Sequence, residues 1–292
     1  MYDVYGIGNA IVDVITEVDE QFLIEASLAK GAMTLIDDNQ MDRLTKIMES
    51  FTTKKMSGGS AANTIFAIQA FGGKTAYACN ISNDKNGQHF LNDFKNSGIS
   101  IDSGCITNHG NSGQCFVFVT PDAERTMATN LGVSSDLSVN SLDQIMITSA
   151  KTIYIEGYLV TSEKSSTTAR KAIEIAKNVG TEIALTLSDA SLVTNFRDSL
   201  ESLIGEGIDL LFCNEEEGLS WAKTDRIDVA VTNLREIAKE AYITLGAKGS
   251  ISISHTGISE VKSEKVIPVD TNGAGDMYAG ACLYARSLGL DG

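Results

Sequence analysis

The chain has 292 residues, 43% of them hydrophobic, which is enough to bury a sizeable core in one large α/β domain or two smaller ones. Its 38 acidic against 23 basic residues give a formal net charge of −15, which argues against nucleic acid as a partner, because phosphate-backbone affinity comes from Lys and Arg. A bound nucleotide stays open, since one triphosphate is held by a few backbone N–H groups and a metal ion.

Five cysteines, Cys79, Cys105, Cys115, Cys213 and Cys282, form no Cys-x-x-Cys pair, and the three histidines lie far apart, so neither a disulfide framework nor a zinc site is expected. The opening MYDVYGIGNAIVD lacks a basic stretch followed by an apolar one, and no apolar run reaches the roughly 18 residues of a membrane span. The expected location is cytoplasmic, with no membrane partner. Pro121 and Pro268 are the only prolines, and no repeat or linker breaks the chain, so residues 1–292 read as one domain.

The runs VYGIG, KTAYAC, KTIYIEG, TEIALTL, IDLLFC and AYITLG are short and apolar, and segments with helical spacing separate them. That rhythm predicts an α/β fold with a doubly wound, mostly parallel sheet flanked by helices. Gly6-Ile7-Gly8 follows the first run as in a dinucleotide-binding turn, but Ile11 stands where the third glycine would be, which argues against NAD.

Next, Ser57-Gly58-Gly59-Ser60-Ala61-Ala62-Asn63 leads into a helix whose apolar stripe runs through Ala61, Ile65 and Ile68. Asn63 lies off that stripe, and its amide, beside the exposed N–H groups of Gly58 and Gly59, suits the vicinal hydroxyls of a sugar. The plainer alternative is an N-terminus capped by Ser60. Gly73-Lys74-Thr75 imitates the end of a phosphate-binding loop, but it runs from helix to strand, the reverse of that motif.

Between about residues 103 and 132 the rhythm changes. GQCFVFVT and RTMATNLG flank a PDAE turn without a helix, which predicts a hairpin outside the parallel sheet, part of a small β-lid with strands drawn from about 10–40 and 103–132.

Three further turns carry chemistry. Asn214-Glu215-Glu216-Glu217 follows a strand, with residues 214 and 217 one helical turn apart; a capping box and a water-mediated role at magnesium both fit. Thr244-Leu245-Gly246-Ala247-Lys248-Gly249-Ser250 is a tight glycine turn, either a plain hairpin loop or a backbone surface for a nucleotide. Asp270-Thr271-Asn272-Gly273-Ala274-Gly275-Asp276 follows the extended run KVIPV and opens a helix. Its small residues let phosphate oxygens approach free helix amides, and Asp276 in the first turn is placed to take a proton from an attacking hydroxyl. Alone, it also reads as an ordinary glycine turn with a carboxylate favoured by the helix dipole.

In this order, the strand with Asn9 and Asp13, SGGSAAN, NEEE, TLGAKGS and DTNGAGD resemble the ribokinase, or PfkB-type carbohydrate kinase, family over nearly the whole chain. GNAIVD and LTLSD are similar to its adenosine-kinase-like branch. The resemblance implies ATP-dependent phosphorylation of a hydroxymethyl group on a sugar or nucleoside. It implies Asp276 as general base and the backbone of Gly273, Ala274 and Gly275 as the anion hole. It sets Asn214, Glu217, Thr244, Gly246, Gly249 and Asp270 on the nucleotide, with Glu217 reaching Mg2+ through water. Asn9, Asp13, Gly58, Gly59 and Asn63 would hold the acceptor, Asp13 taking two hydroxyls.

A monovalent cation such as K+ is a further candidate cofactor, and a homodimer through the lids a further candidate assembly. Family members continue past the last helix into others that help form the adenine pocket, so with the sequence ending at Gly292 those helices are expected to be absent. A different class, a silent nucleotide or sugar sensor on this fold, is opposed by the intact Asp276.

Overall fold

The computed structural model describes residues 1–101, 103–122, 124–267 and 271–290. Among these, a nine-stranded sheet runs in the order Gly257–Val261, Ser250–Ser254, Ala238–Thr244, Ile208–Asn214, Glu182–Thr186, Ala150–Glu156, Tyr2–Ile7, Thr75–Ala78 and Ser100–Ile101. The first two strands are antiparallel additions at one edge, and the other pairings are parallel. All six of the apolar runs named above fall in this sheet, and the doubly wound, mostly parallel fold is present as expected.

The central strands are largely apolar because both faces are covered. Alternate residues divide between two cores. Tyr5, Ile7, Ile153, Ile155, Leu185 and Leu211 join Ala169, Ala172 and Ile173 of the helix Glu163–Val179 on one side. Val4, Tyr154, Ala184, Leu210 and Phe212 join Ile65 and Ile68 of the helix Ser60–Ala70, Phe90 and Phe94 of Lys85–Asn96, and Leu283 of Ala274–Ser287 on the other. Two helices of that second layer approach very closely: a Cβ on Gly280 would stand 2.6 Å from the Cβ of Ala67. That contact brings the helix bearing Asp276 against the helix bearing Asn63.

A separate five-stranded sheet has the order Met33–Leu35, Arg125–Asn130, Gly113–Val119, Ile11–Glu17 and Lys54–Gly58. Gly113–Val119 and Arg125–Asn130 pair antiparallel, and Ala123 of the turn between them lies outside the described residues. Lys54–Gly58, which the sequence reading treats only as the approach to a glycine turn, is an edge strand here, so Gly58 ends a strand paired with Ile11.

The two faces of this sheet differ. Val14, Phe116, Phe118 and Ala128 pack under the helices Glu20–Glu25 and Asp38–Met48, with Leu23, Met41 and Leu44. The alternate residues Asp13, Ile15, Met56 and Arg125 face a cleft toward the main sheet.

Candidate active site

Asp276 lies in the first turn of the helix Ala274–Ser287, capped by Gly273 in the left-handed region at φ 72°. Ser60 and Asn63 reach it from the neighbouring helix. The Ser60 hydroxyl donates to Oδ1 at 2.7 Å, and Asn63 Nδ2 donates to Oδ2 at 2.9 Å. Ser60 is therefore no cap: Gly59 is the capping residue, at φ 107° and without a side-chain bond, which leaves the serine hydroxyl to the carboxylate. Burial raises the Asp276 pKa above the usual carboxylate value, and these two donors pull it part of the way back.

On the five-stranded sheet, Asp13 sits over Gly58, where a Cβ would come within 2.7 Å of its Oδ2. Burial pushes the Asp13 pKa up to about 6, and the Arg125 charge opposes the rise. Asp13, Asn63, Phe66, Arg125, Gly273 and Met277 are among the walls of a cleft of about 900 Å³. Asn9 is held more tightly than the sequence suggests. It is 4% exposed, its Nδ2 donates to Glu156 at 2.8 Å, and its Oδ1 accepts from Ser134 Oγ at 3.2 Å.

Behind Asp276 lies a smaller cavity of about 90 Å³, with Ser188, Asn214, Glu217, Thr244, Gly275 and Asp276 among its walls. Asn214 caps the helix Glu215–Ala222 and forms a full capping box with Glu217. The Glu217 amide donates to Asn214 Oδ1 at 2.8 Å, and Glu217 Oε1 accepts from Asn214 Nδ2 at 2.6 Å. Burial pushes the Glu217 carboxyl up to about 7. Capping and a place in the cavity thus coexist at one pair of residues.

Thr244 ends its strand at this wall, whereas Gly246 and Gly249 form the turn beyond it, with the Leu245 amide donating to Gly249 O at 2.8 Å, and are not among the residues of the wall. In the expected anion hole, Ala274 N–H is committed to Thr271 O at 3.2 Å. Gly275 is exposed, and nothing lies within 4 Å of the Cβ position it lacks. Asp270, expected at the nucleotide, lies outside the described residues.

Three residues escaped the sequence reading. Ser60 reads in the sequence only as a cap. Glu156 is 1% exposed and binds Asn9 and the Ala61 amide; its signal was a lone acid closing the apolar run KTIYIEG. Ser188 carries φ 69°, rare for a residue with a side chain, and it accepts from the Gly157 amide at 3.0 Å.

The small cavity opens at the carboxyl ends of the parallel strands, where α/β sheets bind ligands, and the larger cleft lies between the five-stranded sheet and the helices that carry Asn63 and Met277. A carboxylate poised between cavity and cleft, next to a helix N-terminus, suits one class of enzyme, the phosphotransferases that act on an alcohol group.

The comparisons with known proteins agree. Residues 29–292 match the model for the pfkB family carbohydrate kinases, and the chain belongs to that family. It is a sugar or nucleoside kinase. The crystal structure of adenosine kinase from Sinorhizobium meliloti is 33% identical, with a TM-score of 0.90 over 99% of this chain and 89% of that one. A probable sugar kinase from Rhizobium etli is 31% identical, with a TM-score of 0.88 over 99% and 88%. Adenosine kinase of Saccharomyces cerevisiae is 26% identical over 98% of this chain and 88% of its own length. Among the described residues, no helix is long and apolar enough to cross a membrane.

Proposed function

We propose that the chain transfers the γ-phosphoryl group of ATP to the 5′-hydroxymethyl group of a nucleoside, with adenosine as the leading acceptor. The observation that carries this reading is the composition of the 900 Å³ cleft. Asp13 gives vicinal ring hydroxyls an acceptor, while Ile15, Met56, Phe66 and Met277 add an apolar wall that a flat base can use and a free sugar does not need. Two relatives named adenosine kinase align over 98% and 99% of this chain, which supports the same choice.

In this mechanism, the acceptor hydroxyl approaches from the cleft and gives its proton to Asp276 as its oxygen attacks the γ-phosphorus. Free N–H groups in the first turn after Gly273 take up charge on the transferring oxygens. Magnesium, when bound with the triphosphate, would offset further negative charge. Among the described residues no three His, Cys, Asp or Glu side chains converge on a metal position, and Glu217 in the small cavity fits an ion held through water and phosphate oxygens.

The five-stranded sheet serves as the lid, closing on the cleft to keep water from the phosphoryl group. Because two helices cover its other face, a lid-to-lid dimer would have to use its edge strands.

The test is ATP-to-ADP turnover with magnesium, offering adenosine, other nucleosides, ribose, fructose and 2-keto-3-deoxygluconate in turn. Preferred turnover of adenosine supports the proposal. Preference for a free sugar would overturn the nucleoside reading and leave the kinase class standing.

A further inference from the structure

The sheet buries a carboxylate that phosphoryl transfer as described above does not use. Glu156 closes the strand Ala150–Glu156 and is 1% exposed. A buried acid is tolerated when hydrogen bonds satisfy it, and here both oxygens are used. Oε1 accepts from Asn9 Nδ2 at 2.8 Å, and Oε2 accepts from the Ala61 backbone amide at 2.9 Å. The Ala61 amide belongs to the first turn of its helix, where N–H groups have no partner within the helix.

One side chain therefore ties the loop after the first strand to the helix whose Ser60 and Asn63 hold Asp276. The surroundings are built around it. A Cβ on Gly8 would stand 2.6 Å from Glu156 Oε2, which gives Gly8 a reason unrelated to nucleotide binding. Ser134 Oγ fixes Asn9 from the other end, donating to its Oδ1 while accepting from the Ala10 amide at 2.8 Å. The Tyr77 hydroxyl donates to Asn9 O at 3.0 Å. Asp276, Tyr77, Tyr154 and Tyr158 are the titratable groups that sense this carboxyl. Both direct partners are donors, so each oxygen is engaged as an acceptor.

We propose that Glu156 is a positioning residue that locks Asn9 to the first turn of the helix Ser60–Ala70, holding the acceptor side and the base Asp276 in one frame. It acts through its neighbours and touches no reacting atom. The proposal rests on Asn9 lying on the acceptor side.

The test compares the full chain with its Glu156→Gln variant, a change that keeps size but leaves one strong acceptor for two donors. Turnover is normalised to the measured stoichiometry of ATP binding, so that a loss of folded molecules is not counted as slower chemistry. The expected result is kcat lower by about tenfold or more, a raised acceptor KM, and an ATP KM within about twofold of wild type. Amide hydrogen exchange at Ala61 should accelerate by about tenfold, because its protecting acceptor is gone.

Wild-type kcat and acceptor KM in Glu156→Gln would overturn the proposal. If the variant does not fold, Ser134→Ala loosens Asn9 and the adjoining Ala10 amide while leaving Glu156 in place, and an unchanged acceptor KM there would overturn it equally. If the wild-type enzyme turns over no nucleoside or sugar, it is the proposed function that has failed. Exchange at Ala61 then decides the Glu156 question by itself, acceleration supporting it and an unchanged rate sinking it.

Discussion

Asn63 Nδ2 lies 2.9 Å from Asp276 Oδ2, joining residues 213 positions apart on two helices packed at Gly280. This bond makes an amide read from sequence as a sugar ligand a partner of Asp276 as well. It also determines how Asp276, as the proposed base, should respond to pH. Burial drives the Asp276 pKa up, while Asn63 and Ser60 favour the charged form and hold it down. Asn63→Ala or Ser60→Ala should therefore raise it further, and the acid limb of the kcat/KM profile should move to higher pH. An acid limb that stays in place, or moves down, in both variants would show that Asp276 does not titrate as the base.

Asp276→Asn keeps the shape of the side chain but cannot take a proton. It should lower kcat by about a hundredfold to ten-thousandfold, the usual range for a lost general base, with ATP still bound. Isothermal titration of ATP alongside turnover separates the two effects. Wild-type turnover in this variant would remove Asp276 from the base role.

The two glycines before Ser60 should fail in different ways. Gly59 has φ 107°, and a Cβ there would stand 2.3 Å from Asn9 O, a backbone atom that cannot step aside. Gly59→Ala should lose on the order of 1–3 kcal/mol of stability, read as a lower Tm. Gly58 ends a strand outside the left-handed region, and its added Cβ would press on the Asp13 carboxylate at 2.7 Å. Gly58→Ala should therefore act mainly on the acceptor, raising its KM by about tenfold, or ~1.4 kcal/mol, with the ATP KM unchanged. Equal damage to both KM values would contradict that division.

Stability of the unliganded protein should fall as pH rises from 5 to 8. Glu156 and Glu217 are pushed from 4.5 up to about 7, and Asp13 from 3.8 up to about 6, each chiefly by burial. The folded state thus binds these protons more tightly than the unfolded chain does. The resulting stabilisation is complete below the unfolded values and disappears as pH passes the folded ones. Glu217→Gln removes one of the three titrations, so the decline in Tm across this window should become shallower. A Tm that rises with pH through the window in the wild-type protein would contradict the burial assigned to these groups.

Much of the molecule was legible in the chain by itself. The six apolar runs with helical spacers required a sheet buried on both faces, and those six lie in the nine-stranded sheet. Glycine turns entering helices at Gly58–Gly59 and Gly273–Gly275 marked where helix amides open, because that signal depends only on local backbone chemistry. The capping box at Asn214 and Glu217 was readable for the same reason.

What the chain alone could not show are the contacts between segments far apart in sequence. Ser60 follows a glycine and precedes a helix, which locally is the pattern of a cap, and only the packing of two helices turns its hydroxyl onto Asp276. Glu156 looks like the ordinary end of a strand until the fold brings Asn9 and Ala61 to its two oxygens, across 147 and 95 positions of sequence. Local spacing records which amides and carboxylates each turn presents. Which donor meets which acceptor is decided by the order of strands and the closeness of helices, and those depend on the burial of the whole core.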